Sequence, residues 1–324
     1  MQRRGFAQWI VCAALVGAAA VTYAQDWPKG PVHVVVPFAA GSTPDLVARV
    51  ISERLGARLG TTMIVDNKAG AAGNLGTAAV AKAAADGQTI GVSIAGPLAV
   101  NSLLFKKMPY DPARDLELVT IAATQPAVLV VSSKLATNST SDLLALLKKN
   151  PGKYSFSSMG AGTVSHLAMA ALSSRTGADL VHVPYGGSGA AVTAVISGEV
   201  DLAILPAAAV MPHIKAGKIK GLAVASAKRS PSLPEMPTLV EAGVQDIQAD
   251  AWIGFVVPAK TPPAVVKRLH DELVQILAEP SVKDKLRLQY MDPVANSPAE
   301  FRSVLAADVA RWKPVIQQHN ITLD

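Results

Sequence analysis

The stretch VHVVVPFAAGSTPDLVARV, residues 32–50, decides the fold class. Val32, Val34, Val35 and Val36 make a short apolar β-branched run, the pattern of a strand buried on both faces. The run breaks at Pro37 and passes into the small residues Gly41, Ser42 and Thr43. Pro44 suits the first helical position, where its missing N–H costs nothing, and Asp45 falls in the first turn, where the helix dipole favours a carboxylate. Leu46, Val47, Val50, Ile51, Leu55 and Leu59 then recur at helical spacing. A strand, a tight turn and a helix N-terminus leave unpaired backbone N–H groups pointing outward, which is the chemistry of an anion site. A plain βα connection in any parallel sheet reads the same way.

The chain has 324 residues, 50% of them hydrophobic and 17% charged, a globular composition with length for two cores. Arg3 and Arg4 precede an uncharged apolar segment, 10–21, that is short for a membrane span. Thr22, Tyr23 and Ala24 follow, which predicts a signal peptide over 1–24, cleaved after Ala24, and a periplasmic mature protein. Arg3-Arg4-Gly5-Phe6 faintly matches a twin-arginine signal. Cys12, the only cysteine, lies inside that segment, so the mature chain has no disulfide and no thiolate ligand. Losing Arg3 and Arg4 takes the formal charge from +6 to +4. No Lys/Arg block concentrates the excess, which argues against nucleic acid and suits a small anion.

Strand-like and helix-like segments alternate along the rest of the chain. Strands are expected at 63–65, 89–94, 118–121, 128–131, 154–157, 181–183, 200–205, 222–225 and 252–257. Helices are expected at 77–85, 140–149, 163–175, 188–196, 263–277, 282–290 and 298–317. The alternation predicts an α/β chain with parallel-rich sheets flanked by helices. Gln125-Pro126 is a candidate crossing point between two domains. The C-terminal helices are expected to return to the first domain, giving a discontinuous domain over 25–123 and 227–324 and a second domain over 124–226.

Two more turns repeat the design of Ala39-Ala40-Gly41-Ser42-Thr43. They are Ser158-Met159-Gly160-Ala161-Gly162-Thr163 and Pro184-Tyr185-Gly186-Gly187-Ser188. Each follows a strand, lacks bulk and opens a helix. Ligands of open α/β sheets lie beyond the carboxyl ends of the strands, so one turn facing two would clamp an anion. Simple chain reversal is the alternative for each. His166, in the first turn of its helix, is placed either to donate to a carboxylate or to pack and cap. Phe38 and Trp252 are placed to line a cleft or to fill a core. The other histidines are dispersed without metal-ligand spacing. Gly186-Gly187-Ser188-Gly189-Ala190 misses the nucleophile elbow at its last position, and no phosphate-loop or dinucleotide fingerprint occurs. No cofactor, metal or catalytic residue is expected.

Longer pieces carry a resemblance: residues 35–45, 65–74, 86–89, 109–112, 158–166, 182–185 with Gly187-Ser188, 198–201, 212–218 and 225–231. They run end to end and resemble the periplasmic solute-binding receptors of tripartite tricarboxylate transporters, the Bordetella uptake gene family. The resemblance implies a two-domain type II periplasmic binding fold whose hinged cleft closes on a small carboxylate. It places ligand contacts at Gly41, Ser42, Thr43 and Asp45, and at Gly160, Gly162, Thr163, Tyr185 and Ser188. Ala40, Ala161 and Phe38 adjoin them. Backbone amides and ordered waters are the implied donors. The implied partners are the membrane transporter subunits, or a membrane sensor kinase, with the receptor itself a monomer. Two departures stand out. The family's Gly-Gly-Ser-Thr is Gly41-Ser42-Thr43-Pro44 here. The place where amino-acid-binding members carry an Asp aligns with Leu205, which implies a dicarboxylate or aromatic carboxylate without an ammonium group. A bulky residue at Ala40 or Gly162 is expected to block binding without unfolding the chain.

Overall fold

In the computed structural model residues 27–323 are described; the signal peptide read at 1–24 lies outside the described residues. β1 (Val32–Val36) buries Val32, Val34, Val35 and Val36, as a run apolar on both faces requires. α1 (Thr43–Leu59) follows the turn, with Pro44 in its first turn and an end at Gly60, whose φ of 65° is the left-handed conformation that glycine adopts freely. β2 (Met63–Asn67), α2 (Asn74–Ala81), β3 (Thr89–Ile94), α3 (Asn101–Leu104) and β4 (Leu116–Gln125) complete the first passage. β5 (Ala127–Ser132), α4 (Thr140–Lys149), β6 (Tyr154–Ser158), α5 (Val164–Thr176), β7 (Leu180–Pro184), α6 (Ser188–Ser197), β8 (Leu202–Pro206), α7 (Ala207–Lys215) and β9 (Ile219–Val224) follow. The chain ends with β10 (Ala251–Pro258), α8 (Pro263–Ala278), α9 (Pro280–Arg287), β11 (Asp292–Pro293) and α10 (Pro298–Gln318).

Two sheets result, in the orders β11-β4-β10-β3-β1-β2 and β7-β6-β8-β5-β9. Both are mixed, where the alternation alone suggested mainly parallel pairing. β2, β1 and β3 pair in parallel, as do β7, β6 and β8. The strands joining the two sheets do not. β4 leaves the first sheet antiparallel to β10, which returns to it, and β5 enters the second antiparallel to β9, which leaves it. A chain that crosses out and back must run in opposite directions on neighbouring strands, so the double crossover makes the mixture.

The two crossovers are hydrogen-bonded to each other. Ala225 N donates to Ala127 O at 2.7 Å, and Ala249 N donates to Ala225 O at 2.7 Å. One apolar cluster lies between the first sheet and α1, α8 and α9, and includes Val34, Ile51, Leu55, Leu269 and Ile276. Another joins the second sheet to α6 and α7. The third spans both sheets, from Leu129 and Leu167 to Trp252, Phe301 and Trp312. Trp252 therefore packs in the core. Its Nε1–H donates to Asp308 at 2.7 Å and its ring meets Phe301 edge-on at 5.2 Å. α10 opens with a full capping box between Ser297 and Glu300 and lies against β4 and α5, so it touches both sheets' layers.

Gly254 on β10 is where this third cluster tolerates least. A methyl group there would overlap the Phe301 ring. Gly254→Ala should cost about 1–3 kcal/mol of stability through overpacking, read as a lower urea midpoint; an unchanged midpoint would contradict this packing.

Candidate functional site

Strand register brings the expected turns to one place. β4 runs in the same direction as β1, β2 and β3, because β10 is antiparallel to both β3 and β4. Its last residue, Gln125, therefore lies at the end of the sheet where β1, β2 and β3 also finish. In the second sheet Ala127 opens β5 opposite Pro206, the last residue of β8, and β6 and β7 run parallel to β8. The carboxyl ends of both parallel sets thus converge on the crossover at Pro126. The turns beyond them lie at these carboxyl ends, the position where open α/β sheets bind ligands.

On the first-domain side, Ala40 and Gly41 are exposed, and Ser42 and Thr43 are half-buried. Asp45 lies behind this turn and is 1% exposed. It accepts from Gly41 N at 2.8 Å, from Arg49 Nε at 3.0 Å and from Asn67 Nδ2 at 2.9 Å. Asn67 also donates to Phe38 O at 3.0 Å. Burial by itself would raise the Asp45 carboxyl; the bonds from Arg49, Gly41 and Asn67 outweigh it and hold it below its usual value. The Asp45 carboxylate thus shapes the turn, which leaves the residue's backbone amide as its group for the ligand contact that the resemblance implied. Among the described residues nothing accepts from the Ala40, Thr43 and Asp45 amides. Ser42 Oγ is buried and also without a partner. A carboxylate oxygen or an ordered water would satisfy these donors.

Two neighbouring turns support this one, and single residues gave no warning of the arrangement. Gly73, at φ 88°, leaves no space for a side chain between Phe38 and Pro97, so Phe38, half-buried, is wedged at the base of the cleft. Asn101 Nδ2 donates to Ala72 O at 3.1 Å and to Asn74 Oδ1 at 2.6 Å. The Tyr110 hydroxyl lies 2.6 Å from Pro97 O and 3.1 Å from Asn74 Oδ1. This buried network fixes the turns after β2 and β3 against each other. The only available signal was that Asn67, Asn74, Asn101 and Tyr110 are polar residues set among small apolar ones.

On the second-domain side, Gly160 is half-buried and Ala161 exposed. Gly162 is buried: a Cβ on it would lie 2.7 Å from Leu104 Cδ1 and 2.9 Å from Leu323 Cδ1. Leu323 N donates to Leu104 O, so the C-terminal segment and α3 back this turn. Its φ of 73° adds strain to any side chain. A bulky residue at Gly162 therefore threatens the fold as well as the ligand, which corrects the expectation that it acts on binding alone. The Thr163 hydroxyl donates to Gly160 O at 2.7 Å. His166 is 9% exposed, and its Nδ1 accepts from Gly162 N at 3.1 Å. Tyr185 turns its hydroxyl to Glu199 at 2.9 Å, beyond the far end of α6, so that group is committed away from a ligand. Ser188 opens α6, and its amide is without an acceptor among the described residues.

Leu205 requires a correction. It is fully buried on β8, opposite Val128, in the cluster under α6 and α7. Strand side chains alternate between faces, so a position aligned by sequence reaches the cleft only with the right parity. Leu205 contributes packing and does not face a ligand. The argument about an ammonium group rests instead on the turns themselves, whose one carboxylate, Asp45, is consumed behind them.

Two buried groups near the cleft titrate in opposite senses. Burial, then the neighbouring His182 and His319, lower His166 to about 4. Burial raises Asp250 to about 6; Ser226, Gln248 and Arg311 oppose that shift and Asp292 adds to it. Between its usual 6.5 and about 4, folded His166 binds fewer protons than the unfolded chain, so its contribution to stability is lost as pH falls. Between its usual 3.8 and about 6, folded Asp250 binds more protons, so its contribution is lost as pH rises. Asp250→Asn should steepen the rise of stability with pH across this window and His166→Asn should flatten it. Urea midpoints at several pH values check the signs; equal slopes in both variants would contradict them.

Two cavities, of about 400 and 560 Å³, lie at α1–β2 and beside the starts of α8 and α10. None of the turn residues lines either one. Among the described residues no cluster of His, Cys, Asp or Glu could hold a metal, and no helix is long and apolar enough to cross a membrane.

Two α/β layers, a double crossover and opposed turns with free amides define a two-domain solute-binding protein. A family model described as the tripartite tricarboxylate transporter family receptor matches residues 47–321, and the chain belongs to that family of periplasmic receptors, which are not enzymes. BugT of Bordetella pertussis is 35% identical over 306 residues, 94% of each chain. R. palustris Rpa4515, solved with adipate, superposes with a TM-score of 0.82 at 34% identity, covering 92% of this chain and 99% of that one. MatC from Rhodopseudomonas palustris, with bound malate, gives 0.77 at 29% identity over 90% and 100% of the two chains.

Proposed function

We propose that the mature chain, beginning at Gln25, captures a small dicarboxylate or aromatic carboxylate in the periplasm and delivers it to a membrane transporter of the tripartite tricarboxylate type. One observation carries the reading: unpartnered amides at Ala40, Thr43 and Asp45 on one side of the cleft and at Ala161, Val164 and Ser188 on the other. Each set suits one carboxylate, and neither has a free acidic side chain for an ammonium group. The adipate and malate held by two similar receptors support the same class. The first sheet with its helices forms the fixed domain, and the second sheet with its helices closes over the ligand about the paired crossovers. Closure replaces water with oriented donors and presents a new surface to the membrane partner.

A thermal-shift screen of the purified mature chain against mono-, di- and tricarboxylates, aspartate and glutamate tests this, because a ligand stabilises by mass action. Dicarboxylates or aromatic carboxylates should raise the melting temperature and the two amino acids should not. Tight binding of either amino acid would overturn the reading.

A further inference from the structure

We propose that the stacked imidazoles of His166 and His182 are positioning residues: as neutral rings they select which amides of the 158–163 turn face the ligand carboxylate. This rests on the proposed carboxylate clamp and adds how its second half is set.

The amides of the turn divide sharply. Met159 N donates to Ser165 Oγ at 2.9 Å, Gly160 N to Ser158 Oγ at 3.2 Å, Gly162 N to His166 Nδ1 at 3.1 Å and Thr163 N to Gly160 O at 3.3 Å. Ala161, Val164 and Ser165 keep amides that nothing among the described residues accepts. His166 thus takes one donor out of play at the end of the turn. His182 holds the beginning: its Nε2 lies 2.7 Å from the Ser158 hydroxyl, which in turn receives Gly160 N. The two rings come from different elements, α5 and β7, and stack with centroids 3.8 Å apart and planes 11° from parallel. Phe156 continues the stack against His182 at 4.8 Å. Start and end of the turn are therefore tied through one column of rings.

The column works only uncharged. An Nδ1 that accepts from a backbone amide carries no proton, so the neutral His166 bears its proton on Nε2. Protonating Nδ1 would set two donors face to face and release Gly162. Two imidazolium rings at stacking distance would also repel, and burial opposes charge on both. The groups that act on His166 are His182 from β7 and His319 beyond α10, both bases; among the described residues no carboxylate acts on it to favour a cation. Binding therefore depends on amide dipoles, and no histidinium–carboxylate pair forms.

The test uses the mature chain and four forms: wild type, His166→Asn, His166→Leu and His182→Phe. Asparagine places an acceptor oxygen near the position of Nδ1; leucine does not. Nitrogen-15 NMR of the ring, with no ligand present, should show an unprotonated Nδ1 and a protonated Nε2 from about pH 8 to about pH 5. Titration with the dicarboxylates from malate to adipate should give an affinity nearly independent of pH over that range. His166→Asn should stay within about threefold of wild type and His166→Leu should lose about tenfold or more. His182→Phe should keep the stack and lose affinity in part. A ring that protonates within the range, an affinity that tightens about tenfold per pH unit, or equal losses in the Asn and Leu variants would overturn the proposal. Failure of every carboxylate to bind would instead overturn the clamp, while the ring signals still report on the stack.

Discussion

Asp45→Ala is expected to abolish carboxylate binding and to cost about 2–4 kcal/mol of stability. The carboxylate is 1% exposed and takes three hydrogen bonds, from Gly41, Arg49 and Asn67. Charge-assisted bonds of this kind are each worth about 1.5–3 kcal/mol, and a donor left without a partner pays a desolvation cost besides. Arg49, with a side chain 52% exposed, can turn to solvent; Asn67 cannot do so without also releasing Phe38 O. The turn that presents Ala40 and Thr43 would lose its shape together with its anchor. Asp45→Asn keeps the volume and loses the charge, so it should fall between the two. The sign with pH follows from the lowered carboxyl: its contribution is complete above the usual 3.8 and is lost only as pH falls through the lower folded value. Mild acid should therefore leave the turn intact. Calorimetric titration and urea unfolding measure both effects, and wild-type affinity in Asp45→Ala would sink the assignment.

Ala40→Trp should reduce affinity at least about a hundredfold, by steric exclusion, while changing stability by no more than about 0.5 kcal/mol. Ala40 is exposed on the cleft side of the same turn, and its side chain is placed in none of the three apolar clusters. Gly162→Ala should behave differently. Its new methyl meets Leu104 and Leu323 at under 3 Å, on a backbone with φ of 73°, so it should cost about 1–3 kcal/mol. The pair separates ligand exclusion from damage to the fold, measured by calorimetry and by unfolding on the same samples. Loss of stability in Ala40→Trp would mean that the residue is not on a free surface.

The strand, turn and helix at 32–59 were legible because every signal there is local: β-branched residues, small residues in the turn and a Pro at the helix start. The crossing at Gln125-Pro126 was legible for the same reason, since a proline interrupts two apolar strands that belong to different sheets. What escaped depends on partners distant in the chain. Asp45 read as a dipole complement, but its partners Gly41 and Asn67 show it to be the anchor of the turn. Leu205 aligned with a ligand position, but one step of strand parity puts it in the core. α7 carries Pro212 in its interior, which argues against a helix until Val210 and Met211 are seen buried. The Asn74, Asn101 and Tyr110 network forms only when the turns after β2 and β3 meet the loop that leads into β4, so no single motif announces it.

The central claim is that one carboxylate ligand is held by backbone amides from both domains at once. Amide chemical-shift mapping of the nitrogen-15-labelled mature chain, titrated with the carboxylate that stabilises it most, measures this directly. The account predicts that the largest shifts fall together on Ala40 and Thr43 and on Ala161, Val164 and Ser188, saturating at the same ligand concentration. Shifts confined to one domain, or centred on the cavity beside α8 and α10, would contradict it.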